Sequence, residues 1–167
     1  MSDPGKPVFL VDAYADPVVV RIEGRASFLN SAALKEFFTT MVAQGKKRFT
    51  VDFKQCASMD STFLGVLAGV AIQLRRQTPP GSLALVRVGD RNLELIRNLG
   101  LHRLALVDQG GVAQASGVAA LDSKALDELA SARLVLEAHE NLVATDPDNA
   151  TKFQDVLAFL RNRLQGG

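Results

Sequence analysis

Residues 56–65 read Cys-Ala-Ser-Met-Asp-Ser-Thr-Phe-Leu-Gly, and the rest of the chain is organised around this stretch. Just before it, from 48 to 53, apolar and polar residues alternate as they do in a strand with one buried face. From Phe63 onward the chain is apolar for ten residues, with apolar positions at the three-and-four spacing of a helix. We therefore predict a turn that joins a strand to a helix, with the hydroxyls of Ser61 and Thr62 at the helix start.

The composition predicts one globular domain, or one domain with a small appendage. Of the 167 residues, 47% are hydrophobic and 22% are charged, which is enough apolar material for a core. The formal net charge of +1 supplies no field that would attract nucleic acid or a membrane surface. The longest apolar run is ten residues, whereas a membrane-spanning helix needs about 20. Residues 1–7 lack the pattern of a secretory signal, and the single Cys56 fits a reducing cytoplasm.

Strands and helices are predicted to alternate up to residue 108. The predicted order is strand 8–11, strand 18–22 closed by Gly24, helix 30–43, strand 49–53, the helix after the turn, strand 83–88, helix 90–99 and strand 104–107. Such alternation predicts an α/β fold with a mixed, mostly parallel sheet and helices packed on it. Gly65 and Gly69 each cost about 1 kcal/mol of helix propensity, which we interpret as a close approach of the helix to the sheet.

Two further helix patterns follow a segment at 109–121 that is rich in small residues and is predicted to be a linker. Because few residues separate the two patterns, we predict an antiparallel C-terminal helical hairpin over 122–167. Its apolar stripes would be buried on each other, on the sheet domain or across a homodimer interface. The predicted stripes are Ala125, Leu129, Ala132, Leu136, His139 and Val143 in the first helix, and Phe153, Leu157, Leu160 and Leu164 in the second.

The sequence contains no phosphate-binding glycine signature, no nucleophile elbow and no spacing typical of metal ligands. His102 and His139 lie in different segments, and no recognisable motif places an activating cation beside Cys56. We therefore predict no enzyme activity, no metal site and no cofactor. His139 is interpreted as a packed histidine, hydrogen-bonded at the hairpin interface, and Cys56 as a small buried hydrophobe.

The turn itself allows two interpretations. Asp60 or Ser61 could simply cap the helix, which stabilises a strand-to-helix turn by about 1 kcal/mol. Alternatively, three hydroxyls with Asp52 and Asp60 near one helix start exceed what capping requires and indicate a phosphorylation site. A phosphate there would meet free backbone N–H groups and the positive end of the helix dipole, so the helix would persist. Its charge of about −2 would exclude an acidic or apolar partner surface.

At these residues the chain resembles the STAS family, the domain shared by sulphate transporters and bacterial anti-sigma factor antagonists. The resemblance covers roughly residues 7–108 and rests on the strand at 49–53, the turn at 59–65 with its helix, and Leu-Ile-Arg-Asn-Leu-Gly-Leu at 95–101. In the family the turn usually reads Asp-Ser-Ser/Thr-Gly-Leu-Gly, and its second hydroxyl residue accepts the phosphate. The resemblance therefore implies Thr62 as the phosphoacceptor, with Ser61 as the second choice.

The resemblance further implies a cytoplasmic, non-enzymatic partner switch, an anti-sigma factor antagonist. The unmodified domain would bind an anti-sigma factor serine/threonine kinase and so free a sigma factor. Phosphorylation would release the domain, and a PP2C-type phosphatase would reset it. Phe63 stands where the family commonly has glycine, which would place a bulky apolar group beside the acceptor. The expected partner-binding residues are Asp60, Ser61, Thr62, Phe63, Ser27 and Asp52.

The sequence thus predicts a STAS-like domain at 1–108, a linker at 109–121 and a hairpin extension at 122–167. An alternative function is a STAS scaffold or regulatory subunit that is never phosphorylated and belongs to a larger assembly or transporter complex. The hairpin favours that alternative, because an exposed apolar seam invites oligomerisation. An enzyme or nucleotide-binding domain is the third alternative.

Overall fold

The computed structural model describes residues 8–113, 115, 117–122 and 125–166. Residues 1–7, which were used to argue against a secretory signal, lie outside this range. The described residues form one six-stranded sheet and several helices. Its strands are β1 (Phe9–Asp12), β2 (Val18–Ala26), β3 (Arg48–Met59), β4 (Ser82–Val86), β5 (Leu106–Asp108) and β6 (Ala119–Ala120). Its helices are α1 (Ser31–Ala43), α2 (Ser61–Arg75), α3 (Asp90–Asn98), a 3₁₀ turn (Leu101–Arg103), α4 (Glu128–Thr145), α5 (Asn149–Lys152) and α6 (Gln154–Gln165).

The sheet confirms the predicted mixed, mostly parallel α/β architecture. The strand order is β5-β4-β3-β2-β1-β6. The neighbours from β2 to β5 pair in parallel, while β1 pairs antiparallel with β2 and with β6. The short β6 lies inside the segment predicted to be a linker, so part of that segment completes the edge of the sheet.

The strand before the turn is longer than its sequence pattern predicts. Residues 55–59 continue β3 and pair with 23–26 of β2 across two shifts of register. Gly24, with φ of +106°, lies within this irregular stretch and does not close β2. Backbone pairing with β2 therefore carries Cys56 and its neighbours as far as Met59 in extended conformation, and Asp60 alone separates β3 from α2.

Phe63 is part of the hydrophobic core, in which the strands pack against the helices. Its side chain is 0% exposed, and its ring stacks on Phe9 at 6.0 Å and meets Phe53 edge-on at 6.3 Å. The sequence-based expectation that Phe63 presents a bulky group to a partner is therefore wrong. As the third residue of α2, it points inward and anchors the start of the helix to the sheet.

The C-terminal helices form the predicted hairpin and bury part of each predicted stripe. The first helix, α4, packs on α2 with one side and on α6 with another, and the second helix is broken at Phe153 into α5 and α6. Because α4 contacts two helices rather than one, its predicted stripe is only partly buried: Ala132 and His139 are buried, whereas Leu129 is 38% exposed. In α6, Leu157 and Leu160 are buried as predicted. The buried residues of α4 are Ala132, Leu134, Ala138, His139 and Leu142. Within the described part of the chain, no helix combines the length and the apolarity needed to cross a membrane.

Candidate functional site

The junction between β3 and α2 is held in place by Asp60. Its Oδ1 accepts a hydrogen bond of 3.0 Å from the backbone N–H of Phe63, which caps the helix. Its Oδ2 accepts a second bond of 2.8 Å from the backbone N–H of Phe28, in the loop between β2 and α1. The prediction that Asp60 caps the helix is therefore correct. The same carboxylate also fixes the loop between β2 and α1 to the start of α2.

Ser61 and Thr62 are the first two residues of α2, but their surroundings differ. Thr62 is only 4% exposed, whereas Ser61 is partly exposed. The Oγ of Ser61 lies 2.9 Å from Nε2 of His139, and Nδ1 of the same ring lies 2.7 Å from the carbonyl oxygen of Val135. A carbonyl oxygen only accepts, so Nδ1 carries a proton and donates to Val135, while Nε2 shares the second hydrogen bond with the Ser61 hydroxyl.

Helix α4 crosses α2 at very short range beside this hydroxyl. A Cβ at Gly65 would lie 2.2 Å from the carbonyl oxygen of Ala138, and one at Gly69 would lie 2.5 Å from Nδ2 of Asn141. Asn141 Nδ2 also donates a hydrogen bond of 3.2 Å to the carbonyl oxygen of Gly65. The close approach inferred from the two glycines is real, but its partner is α4. The sequence-based assignment of that approach to the sheet is wrong.

A groove lies between α1 and α4, with α2 as its floor. Lys35 of α1 and Glu137 of α4 bridge it through an ion pair of 2.7 Å. Beneath this bridge is a cavity of about 150 Å³, lined among others by Val66 and Gly69 of α2 and by Asn141 of α4. Helix α4 therefore lies over α2 with incomplete packing along its side toward α1.

Among the predicted partner-binding residues, the structure brings Asp60, Ser61 and Thr62 together at the start of α2, but only Asp60 and Ser61 are partly exposed. Phe63 is in the core, as described above. Ser27 is 5% exposed, and its Oγ accepts a hydrogen bond of 3.2 Å from the backbone N–H of Leu29. Ser27 thus shapes the loop between β2 and α1 from within and presents little surface to a partner.

Asp52 does not belong to the acidic frame that the sequence suggested around the turn. It lies within β3, eight positions before Asp60, and is fully buried. Its carboxylate pairs with the guanidinium of Arg87, whose Nε is 3.0 Å from Oδ1, and Arg21 Nε lies 3.9 Å away. Burial alone would raise the pKa of Asp52, but hydrogen bonds from Arg87 and from the backbone N–H of Lys54 outweigh it and lower the pKa. Asp52 is therefore a structural anion of the sheet.

Cys56 was interpreted as a small buried hydrophobe, but the structure leaves it only partly buried. Burial raises the pKa of its thiol to about 11, so the nucleophilic thiolate is scarce at neutral pH.

Among the residues that the structure describes, no group of three or more His, Cys, Asp or Glu side chains is placed to hold a metal ion.

Sequence reasoning missed three features of this region. It treated His139 as a hairpin residue, whereas His139 contacts the start of α2; the distance of 78 residues in sequence leaves no local signal. It did not identify Arg87, whose φ of +54° is unusual for a residue with a side chain. It also passed over Phe28 and Leu29, which are 49% and 73% exposed beside Asp60. Two adjacent apolar residues in a predicted loop were the available signal.

Comparisons with known proteins agree with this geometry. A family model described as "Mlab, STAS domain" matches residues 9–108. No curated protein sequence matches the chain.

Three solved structures share the fold at low sequence identity. Unphosphorylated SpoIIAA, an anti-sigma factor antagonist, has 18% identity and a TM-score of 0.51, covering 64% of this chain and 89% of its own. A Thermotoga maritima protein described as an anti-sigma factor antagonist has 18% identity and a TM-score of 0.51, covering 60% of this chain and 85% of its own. Phosphorylated SpoIIAA, a Bacillus cell fate determinant, has 19% identity and a TM-score of 0.50, covering 59% of this chain and 89% of its own. Since the family model spans most of the chain and the fold agrees, this chain belongs to the STAS domain family.

Proposed function

We propose that the chain is a protein-binding partner switch of the anti-sigma factor antagonist type, controlled by phosphorylation at the start of α2. The observation that carries the proposal is the shared surface of Ser61 and the pair Phe28 and Leu29, which Asp60 holds together. An exposed apolar pair beside hydroxyls on a helix N-terminus suits a docking surface that a phosphate disrupts. A phosphate there is compatible with the helix, because free N–H groups and the dipole favour negative charge.

In this proposal the unmodified chain binds an anti-sigma factor serine/threonine kinase in the cytoplasm and so frees a sigma factor. The kinase phosphorylates Thr62, or Ser61 as the second choice, and a PP2C-type phosphatase reverses the modification. The chain performs no phosphoryl transfer itself, since the partners supply ATP, metal and catalytic groups. SpoIIAA supports the proposal, because structures of this protein of the same fold are known in both phosphorylated and unphosphorylated forms.

The test is incubation of the full chain with ATP, magnesium and a purified anti-sigma factor serine/threonine kinase, followed by intact mass and peptide mapping. We expect one phosphate, absent from Thr62→Ala and retained in Ser61→Ala. Phosphate in Thr62→Ala but not in Ser61→Ala would move the acceptor to Ser61. An unmodified chain in the presence of a kinase that autophosphorylates or modifies another antagonist would overturn the proposal.

The second candidate is a STAS scaffold or regulatory subunit that is never phosphorylated. The burial of Thr62, at 4% exposure, favours it, because the start of α2 must open before a kinase can reach this hydroxyl. Under this alternative the chain stays unmodified and co-purifies in a complex of fixed stoichiometry, in a larger assembly, a transporter complex or a homodimer through the hairpin. Light scattering of the purified full chain at increasing concentration tests the homodimer directly.

A further inference from the structure

We infer that α4 occupies, within the same molecule, the face of α2 on which a partner helix docks, and that such a partner must displace it. The inference rests on the proposed function only in taking the start of α2 as the docking face. It does not require phosphorylation.

The close contact between α2 and α4 requires a small residue on each helix at the crossing point. At Gly65 the backbone of α4 comes so close that a Cβ would lie 2.2 Å from the carbonyl oxygen of Ala138. Each glycine inside α2 lowers helix propensity by about 1 kcal/mol relative to alanine, so two of them one turn apart are explained by this crossing. The small Ala138, only 2% exposed, is the complementary residue of α4.

Polar contacts beside the crossing define what else a docked helix must carry. Asn141, three residues after Ala138, donates its amide N–H to the carbonyl oxygen of Gly65. Glu137, one residue before Ala138, pairs with Lys35 across the groove. The face of α2 therefore fits a helix with a small residue and an amide three positions later, and Lys35 of the neighbouring α1 adds a preference for an acid. A partner helix that replaces α4 would show the same chemistry.

The physical character of this contact suits displacement. The Lys35–Glu137 pair is largely exposed to solvent, and a cavity of about 150 Å³ remains between α1, α2 and α4. Along this side toward α1 the contact resembles a transient interface more than a core, although the crossing of Gly65 and Ala138 itself is tightly packed. In addition, α4 lies outside the family match at 9–108.

The other end of the hairpin is anchored firmly. Leu142 is 0% exposed within the core, and the amide of Asn149 donates to the carbonyl oxygens of Leu99 at 2.9 Å and Leu142 at 2.7 Å. Displacement therefore concerns the arm at 128–141, while 142–149 stays attached beside α3. This division gives the inference a specific experimental signature.

The test uses the full chain with Ala138→Leu, whose larger side chain cannot fit against Gly65. Ala144→Leu, the same change at an exposed position of α4, is the matched control. Hydrogen exchange with mass spectrometry should show faster exchange at 128–141 in Ala138→Leu, and unchanged exchange at 142–149 and in the sheet. The control should exchange like the unaltered chain.

Binding is then measured by fluorescence anisotropy with a labelled synthetic peptide of residues 127–143. In the unaltered chain α4 covers the docking face in most molecules, so the apparent affinity of the peptide is its intrinsic affinity multiplied by the small fraction of molecules with a free face. We therefore expect the peptide to bind Ala138→Leu at least about tenfold more tightly than the unaltered chain. A peptide that itself carries the Ala138→Leu change should bind neither protein.

Three results would overturn the inference. The arm could stay protected in Ala138→Leu, or it could open without creating a binding site for the peptide. Loss of protection throughout the sheet would show that the hairpin is an inseparable part of the domain. None of these results bears on whether a kinase modifies Thr62, so the two proposals fail independently.

Discussion

The hydroxyl of Ser61 lies 2.9 Å from Nε2 of His139, and this hydrogen bond joins the first residue of α2 to the middle of α4. The imidazole is held from its other side by the carbonyl oxygen of Val135 and is packed edge-on against Phe153 at 4.7 Å. It therefore has little freedom to move away alone. A larger group on Ser61 has to move α4 with it.

Ser61→Glu is expected to loosen α4, because the longer side chain cannot occupy a contact of 2.9 Å. Ser61→Ala should have a smaller effect, lowering the free energy of unfolding by about 1 kcal/mol, since the buried His139 ring loses its hydrogen bond to the hydroxyl. Hydrogen exchange at 128–141 measures the first effect and urea unfolding the second. Thr151→Glu, at an exposed position of α5, is the control. Equal exchange in Ser61→Glu and the unaltered chain would contradict this prediction.

Gly65→Ala and Gly69→Ala should differ although both improve helix propensity. At Gly65 the added methyl meets the backbone of Ala138, which has no freedom to rotate away, so we expect a loss of about 1–3 kcal/mol in unfolding free energy. At Gly69 the nearest atom is the end of the Asn141 side chain, and rotation of that chain should keep the change within about 1 kcal/mol. Urea denaturation of both variants measures which of them loses more unfolding free energy. A larger loss in Gly69→Ala than in Gly65→Ala would contradict the close contact at Gly65.

Asp52→Asn should destabilise the fold in a pH-dependent way. Removing the charge leaves Arg87 without its carboxylate, and we expect a loss of about 1–2 kcal/mol at pH 7. The pKa of Asp52 is lowered in the folded state, below the unfolded value of about 3.9. The ionised carboxylate therefore stabilises the fold above that pH, and this stabilisation is lost as the pH falls through the folded-state pKa.

Chemical denaturation of the unaltered chain and of Asp52→Asn at several pH values tests this predicted pH dependence. The difference in unfolding free energy should be constant from pH 7 down to about pH 5 and should shrink at lower pH. A difference that grows on acidification would show that Asp52 is protonated in the native fold.

Cys56 should react slowly with iodoacetamide. With the pKa of its thiol raised to about 11, roughly a thousandth of the folded molecules carry the thiolate at pH 8. Alkylation followed by intact mass should accelerate with pH well beyond pH 9 in the folded chain, and should be fast in urea. Rapid alkylation of the folded protein at pH 8 would contradict the prediction.

Phe28→Ala should weaken binding to the kinase partner without changing the fold. The ring is 49% exposed and sits beside Asp60, so its removal takes apolar area from the proposed docking surface; hot-spot aromatic residues typically contribute about 2 kcal/mol or more. Tyr14→Ala is the matched control, because Tyr14 is 96% exposed in the turn between β1 and β2. Isothermal titration calorimetry with the kinase measures both. Equal affinities for the two variants would remove Phe28 from the surface.

The architecture of residues 8–108 was predictable because its information is local. Alternating apolar residues define β3, and three-and-four spacing defines α2, so element type and order follow from short windows of sequence. The lengths of the elements do not follow from local sequence. Strand β3, for example, continues to Met59 because it pairs with β2, across polar residues that carry no strand pattern.

The site was only partly predictable, for the same physical reason. Asp60 caps the helix that follows it by bonding to a backbone N–H three positions later. An acidic residue just before a helix pattern is enough to predict such a cap. The burial of Asp52 depends on Arg87, 35 residues away, and the partner of Ser61 is 78 residues away. Phe63 was misplaced because its direction is set by the aromatic rings of β1 and β3, which only the assembled sheet brings beside it.

The short covalent connection between the sheet and α4 has a quantitative consequence for any protein that binds α2. A tethered segment competes at an effective concentration that reaches the millimolar range for short linkers. A free partner present at about a micromolar would therefore need roughly a thousandfold higher intrinsic affinity than α4 merely to occupy half of the molecules. Affinities measured with the full chain thus report competition, and a variant that frees the arm reports the docking face itself.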